Sequence, residues 1–156
     1  MRGILVLLVS LAALLPSGAS YSQKPPTPTP VDPAVAIRHL LSNTFEKPDS
    51  RLSLDPVVVE EDAALVGWVQ GDLAGRAFLR DKDGHWVIVA CGGDALKLAS
   101  TLRRLGLPEA QAARLSQSMV AAEAKIDVQR VARFATFGDL VEMGSGAHTP
   151  ANSERH

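Results

Sequence analysis

The first element of the predicted domain is a helix, indicated by apolar residues that recur at helical spacing. Apolar residues at positions i, i+3, i+4 and i+8 lie on one face of a helix, and the chain has such a set in Ile37, Leu40, Leu41 and Phe45. Asp32 is a suitable N-cap, Pro33 fits the first helical position, and Pro48 ends the pattern. The pattern therefore predicts an amphipathic helix that packs one face on a core.

Strand-like runs follow this helix and are joined by short turns. We place the four runs at 51–60, 64–70, 76–80 and 85–91. The third turn, Asp83-Gly84, is a strong hairpin signal, and the GDLAG turn before it contains Gly71 and Gly75. Because tight turns rather than helical crossovers join the runs, the pattern predicts an antiparallel meander.

The fourth run, 85–91, is apolar on both of its predicted faces. Strand alternation sorts its side chains into two sets, Trp86, Ile88 and Ala90 against His85, Val87, Val89 and Cys91. We therefore expect both faces of the sheet to be covered. His85 and Cys91 lie about 20 Å apart along a straight strand, so they are not expected to share one metal ion.

Helical patterns return after the glycine pair Gly92-Gly93. Asp94 is predicted to cap a helix over 95–105, and Pro108 and Glu109 begin a second helix. The second helix would bury the stripe Ala112, Leu115, Met119, Ala122 and Ile126. Asp127 is a candidate cap for a further short helix, the alternative being that the second helix continues with a kink. Residues 138–143 are a candidate for a final short strand or an extended closing segment.

These elements predict an α+β fold with an N-terminal helix, an antiparallel meander of about four strands and two or three C-terminal helices. By analogy, a sheet that wraps the first helix, as in cystatin-like or NTF2-like folds, would fit this order. We assign the single α+β domain to residues 33–143.

Two segments precede the domain and one follows it. Arg2 and the apolar run 4–15, followed by Ser17 and Ala19, have the pattern of a cleaved signal peptide, which we assign to residues 1–19. Residues 20–32 form a proline-rich spacer, and residues 144–156 read as a disordered tail. The expected location is therefore periplasmic or secreted, with no stable membrane anchor after cleavage.

Charge and motifs exclude several classes of function. Without residue 2 the chain has 15 basic and 17 acidic residues, which does not indicate a nucleic-acid partner. The sequence has no GxSxG, HExxH or SxxK motif and no phosphate-binding glycine loop. We therefore expect that the protein is not an enzyme and has no catalytic residues.

Cys91 is the only cysteine of the chain, so it has no partner for an internal disulfide. It is expected to be buried and inert, to bind a metal, or to pair between chains. Thiolate and thioether ligands favour Cu(I), and imidazole also binds copper. No motif in the sequence identifies a cofactor. Cys91, Met143 and His148 are the candidate metal ligands, and Cu(I) is the ion that they would bind.

Residues 63–97 read AALVGWVQGDLAGRAFLRDKDGHWVIVACGGDALK, a run that resembles the copper uptake system-associated proteins, a family of small exported proteins. The shared features are a GW-containing strand, a Gly-Arg-Ala strand, an Asp-Gly-His-Trp hairpin and a Cys-Gly-Gly-Asp turn into a helix. The resemblance covers roughly 33–143 and is strongest over 67–96. It implies association with copper acquisition in the envelope and with the proteins that carry it out, and it transfers no metal ligands.

Two hypotheses of function follow. The first is a non-enzymatic periplasmic accessory protein of copper uptake that acts by binding a partner or by weakly binding Cu(I). The second is a metal-independent periplasmic module that binds a peptide or small ligand in the mouth of the sheet. A deep apolar pocket beside the meander would favour the second hypothesis, and a filled, flat sheet would oppose it.

Overall fold

A computed structural model describes residues 31–144, and it has an N-terminal helix, an antiparallel sheet and then C-terminal helices. The helices are α1 (Pro33–Phe45), α2 (Ala99–Arg104), α3 (Glu109–Glu123) and α4 (Val128–Phe134). The strands are β1 (Leu52–Glu60), β2 (Ala63–Gln70), β3 (Leu73–Lys82), β4 (His85–Gly92) and β5 (Val141–Glu142). Two 3₁₀ turns cover Asp94–Lys97 and Ala135–Phe137. The predicted α+β fold is confirmed, and β5 lies within the segment 138–143 that was a candidate for a closing strand.

The sheet is a simple meander with the spatial order β1-β2-β3-β4-β5, and every neighbouring pair is antiparallel. Two strands are irregular. The register of β1 shifts between Leu54 and Val57, and that of β4 shifts where Phe78 pairs with Ala90 and Leu79 pairs with Ile88. The second shift leaves Val89 without a partner on β3, which is a β-bulge.

The bulge at Val89 changes which face each β4 side chain occupies. Trp86 and Ile88 pack in the same cluster as Cys91, whereas Val89 packs in the cluster that contains Ala90. The prediction that Ala90 shares a face with Trp86 and Ile88 is therefore wrong. An extra residue in the strand reverses the alternation beyond it, so Cys91 turns to the face of Trp86.

The two faces of the sheet carry separate hydrophobic clusters. We call the side covered by α1 the α1 face; its buried residues are Ile37, Leu41, Leu54, Ala64, Val66, Ala77, Leu79 and Cys91. We call the other side, covered by α2, α3 and α4, the α3 face. The buried residues of its hydrophobic cluster are Ala63, Leu65, Phe78, Ala90, Leu96, Leu102, Leu107, Ala112, Leu115 and Met119. The expectation that both faces are covered is confirmed.

The C-terminal helices agree with the sequence pattern in two cases and depart from it in one. Ala112, Leu115 and Met119 of α3 are fully buried, and the Asp127 carboxylate caps α4 by accepting hydrogen bonds from two backbone amides. The single helix predicted over 95–105 is wrong. Leu98 has extended backbone and is exposed, so a 3₁₀ turn and α2 replace that helix, and Asp94 does not cap it.

Within residues 31–144, none of the helices combines the length and the apolar character needed to cross a lipid bilayer.

Candidate ligand-binding pocket

An apolar pocket of about 260 Å³ lies on the α1 face of the sheet. Residues from α1, from all five strands and from the C-terminal segment contribute to its wall. They are Leu41, Phe45, Leu52, Leu54, Trp68, Gln70, Leu73, Ala77, Cys91, Phe137, Val141 and Met143. None of these side chains carries a charge, and Gln70 is the most polar of them.

Each wall of the pocket follows from the fold. Leu41 and Phe45 continue the apolar stripe of α1, and the sheet side chains of the α1 face lie opposite them. The C-terminal segment closes the third side, because β5 pairs with β4 at Cys91 and Val141. The backbone N–H of Met143 also donates to the carbonyl oxygen of Val89 at 2.7 Å. These hydrogen bonds hold the Met143 side chain against the pocket.

An aromatic pair forms part of the wall. The rings of Trp68 and Phe137 meet edge to face, with centroids 5.6 Å apart and an angle of 82° between their planes. Gly75 allows this contact: a Cβ atom at this position would lie 2.8 Å from Phe137 Cδ2 and 3.0 Å from Trp68 Cζ2. Any side chain at residue 75 would therefore displace the ring that closes this part of the pocket.

Gln70 is held in one orientation by backbone carbonyl groups. Its Nε2 donates to the carbonyl oxygen of Phe45 at 2.8 Å and to that of Ser50 at 2.9 Å. These two bonds connect the end of β2 to the end of α1 and the turn after it. Both amide hydrogens are thereby used, and among the described residues no donor is bonded to Oε1.

The pocket reaches the surface beside two exposed apolar residues. Leu73 is 67% exposed and Val141 is 49% exposed, yet both also line the pocket. An exposed apolar side chain alone is ordinary, but two beside an apolar pocket extend its surface outward. The pocket is therefore open to solvent on this side.

Cys91 lies in the pocket wall and is 9% exposed. Burial raises the pKa of its thiol from 9.0 to about 11, because the apolar surroundings disfavour the thiolate. At pH 7 roughly one thiol in ten thousand would be ionised. The protonated thiol behaves as a small apolar group and a poor nucleophile.

Two of the three predicted metal ligands line the same pocket. Cys91 and Met143 both line it, whereas His148 lies outside the described residues. Over residues 31–144 there is no cluster of three or more His, Cys, Asp or Glu residues that could hold a metal ion. The pocket therefore offers two sulfur atoms, of which only a thiolate would be a strong ligand.

A second cluster, on the α3 face, was not anticipated from the sequence. The guanidinium of Arg76, with no exposed surface, donates from Nε to Glu123 Oε1 at 2.6 Å and from Nη2 to Glu123 Oε2 at 2.9 Å. Its Nη1 contacts Asp94 Oδ1 at 3.1 Å, and the Phe134 ring lies 5.2 Å from its central carbon. Each of the three Arg76 nitrogens is paired within the fold, so this cluster joins β3 to α3.

Sequence reasoning also missed most of the pocket wall. Phe45, Leu54 and Phe137 have the signature of ordinary core residues, and spacing does not show that their side chains stop short of filling the space between them. The only available signal was the composition of the GDLAG turn, where Leu73 is apolar at a position that turns usually leave polar.

Comparisons of the sequence with protein-family models, with curated proteins and with solved structures yield no match. The resemblance to the copper uptake system-associated proteins therefore stays a prediction.

Proposed function

We propose that this protein is a non-enzymatic binding module that holds a small, uncharged and largely apolar ligand in the pocket on the α1 face. The observation that supports the proposal is a pocket of about 260 Å³ with no charged side chain in its wall. Small-molecule sites are typically concave and lined by hydrophobic and aromatic groups with few polar ones.

The volume limits the size of the ligand. An engineered apolar cavity of about 150 Å³ binds benzene, so this larger pocket suits a ligand of about one to two rings, or an apolar chain of similar size. The exposed residues Leu73 and Val141 would contact the part of the ligand nearest to solvent. Burial of apolar ligand surface then supplies the binding free energy, at about 25 cal/mol per Å².

The wall chemistry supports binding rather than catalysis. A reaction needs a group that donates or accepts a proton or attacks the substrate. Cys91 is the one titratable side chain in the wall, and burial raises its pKa to about 11, so it stays protonated near neutral pH. A protonated thiol supplies neither a base nor a good nucleophile.

Calorimetric titration of the protein with indene, an uncharged bicyclic hydrocarbon, tests this proposal. We expect saturable binding with one site per chain and a negative heat-capacity change, because apolar surface is buried. The matched variant Ala77→Leu places a larger side chain in the wall and should abolish this binding. Absence of saturable binding to the parent protein, or equal binding by the folded variant, would overturn the proposal.

A second candidate function is that of an exported accessory protein of copper uptake, as the family resemblance implies. Its structural support is that Cys91 and Met143, both soft sulfur residues, line the same pocket. The leader-like sequence of residues 1–19 supports a periplasmic or secreted location, and copper-acquisition proteins of the envelope would be the partners. Because the thiol has a raised pKa, Cu(I) would have to displace its proton, so binding should strengthen as pH rises.

Titration with Cu(I) under reducing conditions against a competing chelator tests direct binding. We expect the double variant Cys91→Ala/Met143→Leu to lose the ion, whereas Met119→Leu, in the core of the α3 face, should keep it. His148→Ala reports separately on the third predicted ligand. Affinity that survives loss of all three residues, or no measurable affinity in the parent protein, would contradict binding through them.

A further inference from the structure

Gln70 is the most polar side chain of the pocket wall. Its amide nitrogen has hydrogen-bond partners among the described residues, but its amide oxygen has none. Both hydrogens of its amide are donated to backbone carbonyl oxygens, those of Phe45 and Ser50. An amide oxygen can accept two hydrogen bonds, and no described residue donates to this one. Because Gln70 lines the pocket, its amide adds to the wall an oxygen with no bonded donor among residues 31–144, and both of its N–H groups are already used.

The orientation of this amide is fixed by the fold. Rotating Gln70 to present its NH₂ group would bring Oε1 against the carbonyl oxygens of Phe45 and Ser50, where two acceptors would repel each other. The cost would be two lost hydrogen bonds. The protein thus sets which end of the amide is available to a ligand.

We infer that the pocket selects an uncharged, largely apolar ligand that carries one hydrogen-bond donor, such as a hydroxyl or a ring N–H group, aimed at Gln70 Oε1. The inference rests on the proposed function and deepens it by specifying the ligand's polar group. A ligand without a donor covers Oε1 and removes its water without replacing the hydrogen bond, which costs free energy. A ligand with a donor restores the bond.

Indole and benzofuran are matched probes for this selection. The two molecules have the same fused-ring size, but indole presents an N–H group where benzofuran has an ether oxygen. A purely apolar pocket would bind benzofuran at least as well as indole, since its oxygen is a poor hydrogen-bonding group. We expect indole to bind roughly tenfold more tightly by calorimetry, because only indole restores the bond to Oε1.

A variant and a spectroscopic measurement locate the preference at Gln70. The variant Gln70→Met keeps the side-chain length without the amide, so it should bind the two probes about equally. Should this variant fail to fold, the side-chain carbonyl ¹³C signal of Gln70 in the parent protein gives the same information. We expect indole to shift that signal and benzofuran to leave it nearly unchanged.

The possible outcomes distinguish failure of the donor preference from failure of the proposed ligand-binding function. Equal or tighter binding of benzofuran would overturn the donor preference while leaving an apolar-ligand module intact. Absence of binding by both probes would overturn both. An indole preference that persists in a folded Gln70→Met variant would also overturn the inference, since the preference would then arise elsewhere in the wall.

Discussion

The two faces of one sheet are packed in different ways. The α3 face is filled by side chains such as Phe78, Leu115 and Met119, which have no exposed surface. The α1 face is covered by α1 and by the C-terminal segment 137–143, and there the side chains leave a pocket of about 260 Å³. A buried ion pair, Arg76 with Glu123, lies on the filled side of the sheet, and a single free thiol lies on the hollow side.

This difference separates stability from binding within one small domain. The filled face supplies close-packed contacts and a paired buried charge, both of which are sensitive to small changes. The α1 face contributes fewer packing contacts and has a concave apolar surface that could hold a ligand. Substitutions on the α3 face should therefore change mainly the free energy of unfolding, and those in the pocket should change mainly ligand affinity.

The largest expected effect is on the buried ion pair. Glu123→Gln keeps the shape of the side chain but leaves the Arg76 charge paired only with Asp94, so we expect a loss of about 3 kcal/mol in the free energy of unfolding. Denaturant unfolding measures this change. The matched control is Glu109→Gln, whose partner Arg103 is 3.8 Å away and whose carboxylate is exposed, with an expected cost below about 1 kcal/mol. Equal losses of unfolding free energy in the two variants would contradict a special role for the buried ion pair.

The next effect is a pH dependence of the free energy of unfolding that arises from Cys91 on the α1 face. Burial raises the pKa of the Cys91 thiol from 9.0 to about 11, so between these values the folded chain binds more protons than the unfolded chain. The stabilising contribution is complete below pH 9 and is lost as pH rises through 11, by up to about 3 kcal/mol. Unfolding free energies of the parent protein and of Cys91→Ala, measured from pH 8 to 11, should differ in slope. Parallel curves would mean that the thiol is not buried as described.

A pair of alanine substitutions compares the packing of the two faces directly. Ala90→Leu adds volume to the filled α3 face and should cost about 1–3 kcal/mol through overpacking. Ala77→Leu adds the same volume beside the pocket, where space exists, and should cost less than about 1 kcal/mol. Thermal and denaturant unfolding provide both values. A larger loss for Ala77→Leu than for Ala90→Leu would reverse the assignment of filled and hollow faces.

The smallest expected effect on stability is that of Asp94, the exposed partner of Arg76. A hydrogen bond from Lys97 is the main cause that lowers the pKa of the Asp94 carboxyl, with the Arg76 charge adding to it. Its stabilising contribution is therefore present near neutral pH and is lost as pH falls through that lowered pKa. Because the Asp94 side chain is largely exposed, Asp94→Asn should cost less than about 1 kcal/mol at pH 7. A cost comparable to that of Glu123→Gln would mean that Asp94 is a main partner of Arg76.

The order of elements could be predicted from the sequence because local patterns determine it. The stripe of α1, the Asp83-Gly84 hairpin and the Asp127 cap each depend on residues a few positions apart. The exchange of faces at Ala90 and Cys91 could not be predicted this way. A bulge is set by how β4 pairs with β3, and nothing in the alternation around Val89 shows where a residue will be left unpaired.

The candidate site was predictable only in part, for a related reason. Cys91 and Met143 were singled out by their chemistry, and both line the pocket. The pocket itself depends on the distance between α1, the sheet and Phe137, which are far apart in sequence. The pairing of Arg76 with Glu123 likewise joins residues separated by 47 positions, so no local pattern indicates it.

Methionine-methyl NMR can show in one experiment whether a ligand binds on the α1 face or the α3 face of the sheet. Met119 lies in the filled core of the α3 face and Met143 lies in the pocket wall, so ¹³C-methyl labelling of methionine places one reporter on each. On titration with indene we predict that the Met143 methyl signal shifts and saturates while the Met119 signal stays in place. A Met143 signal that does not move, or a Met119 signal that moves equally, would contradict a ligand pocket on the α1 face.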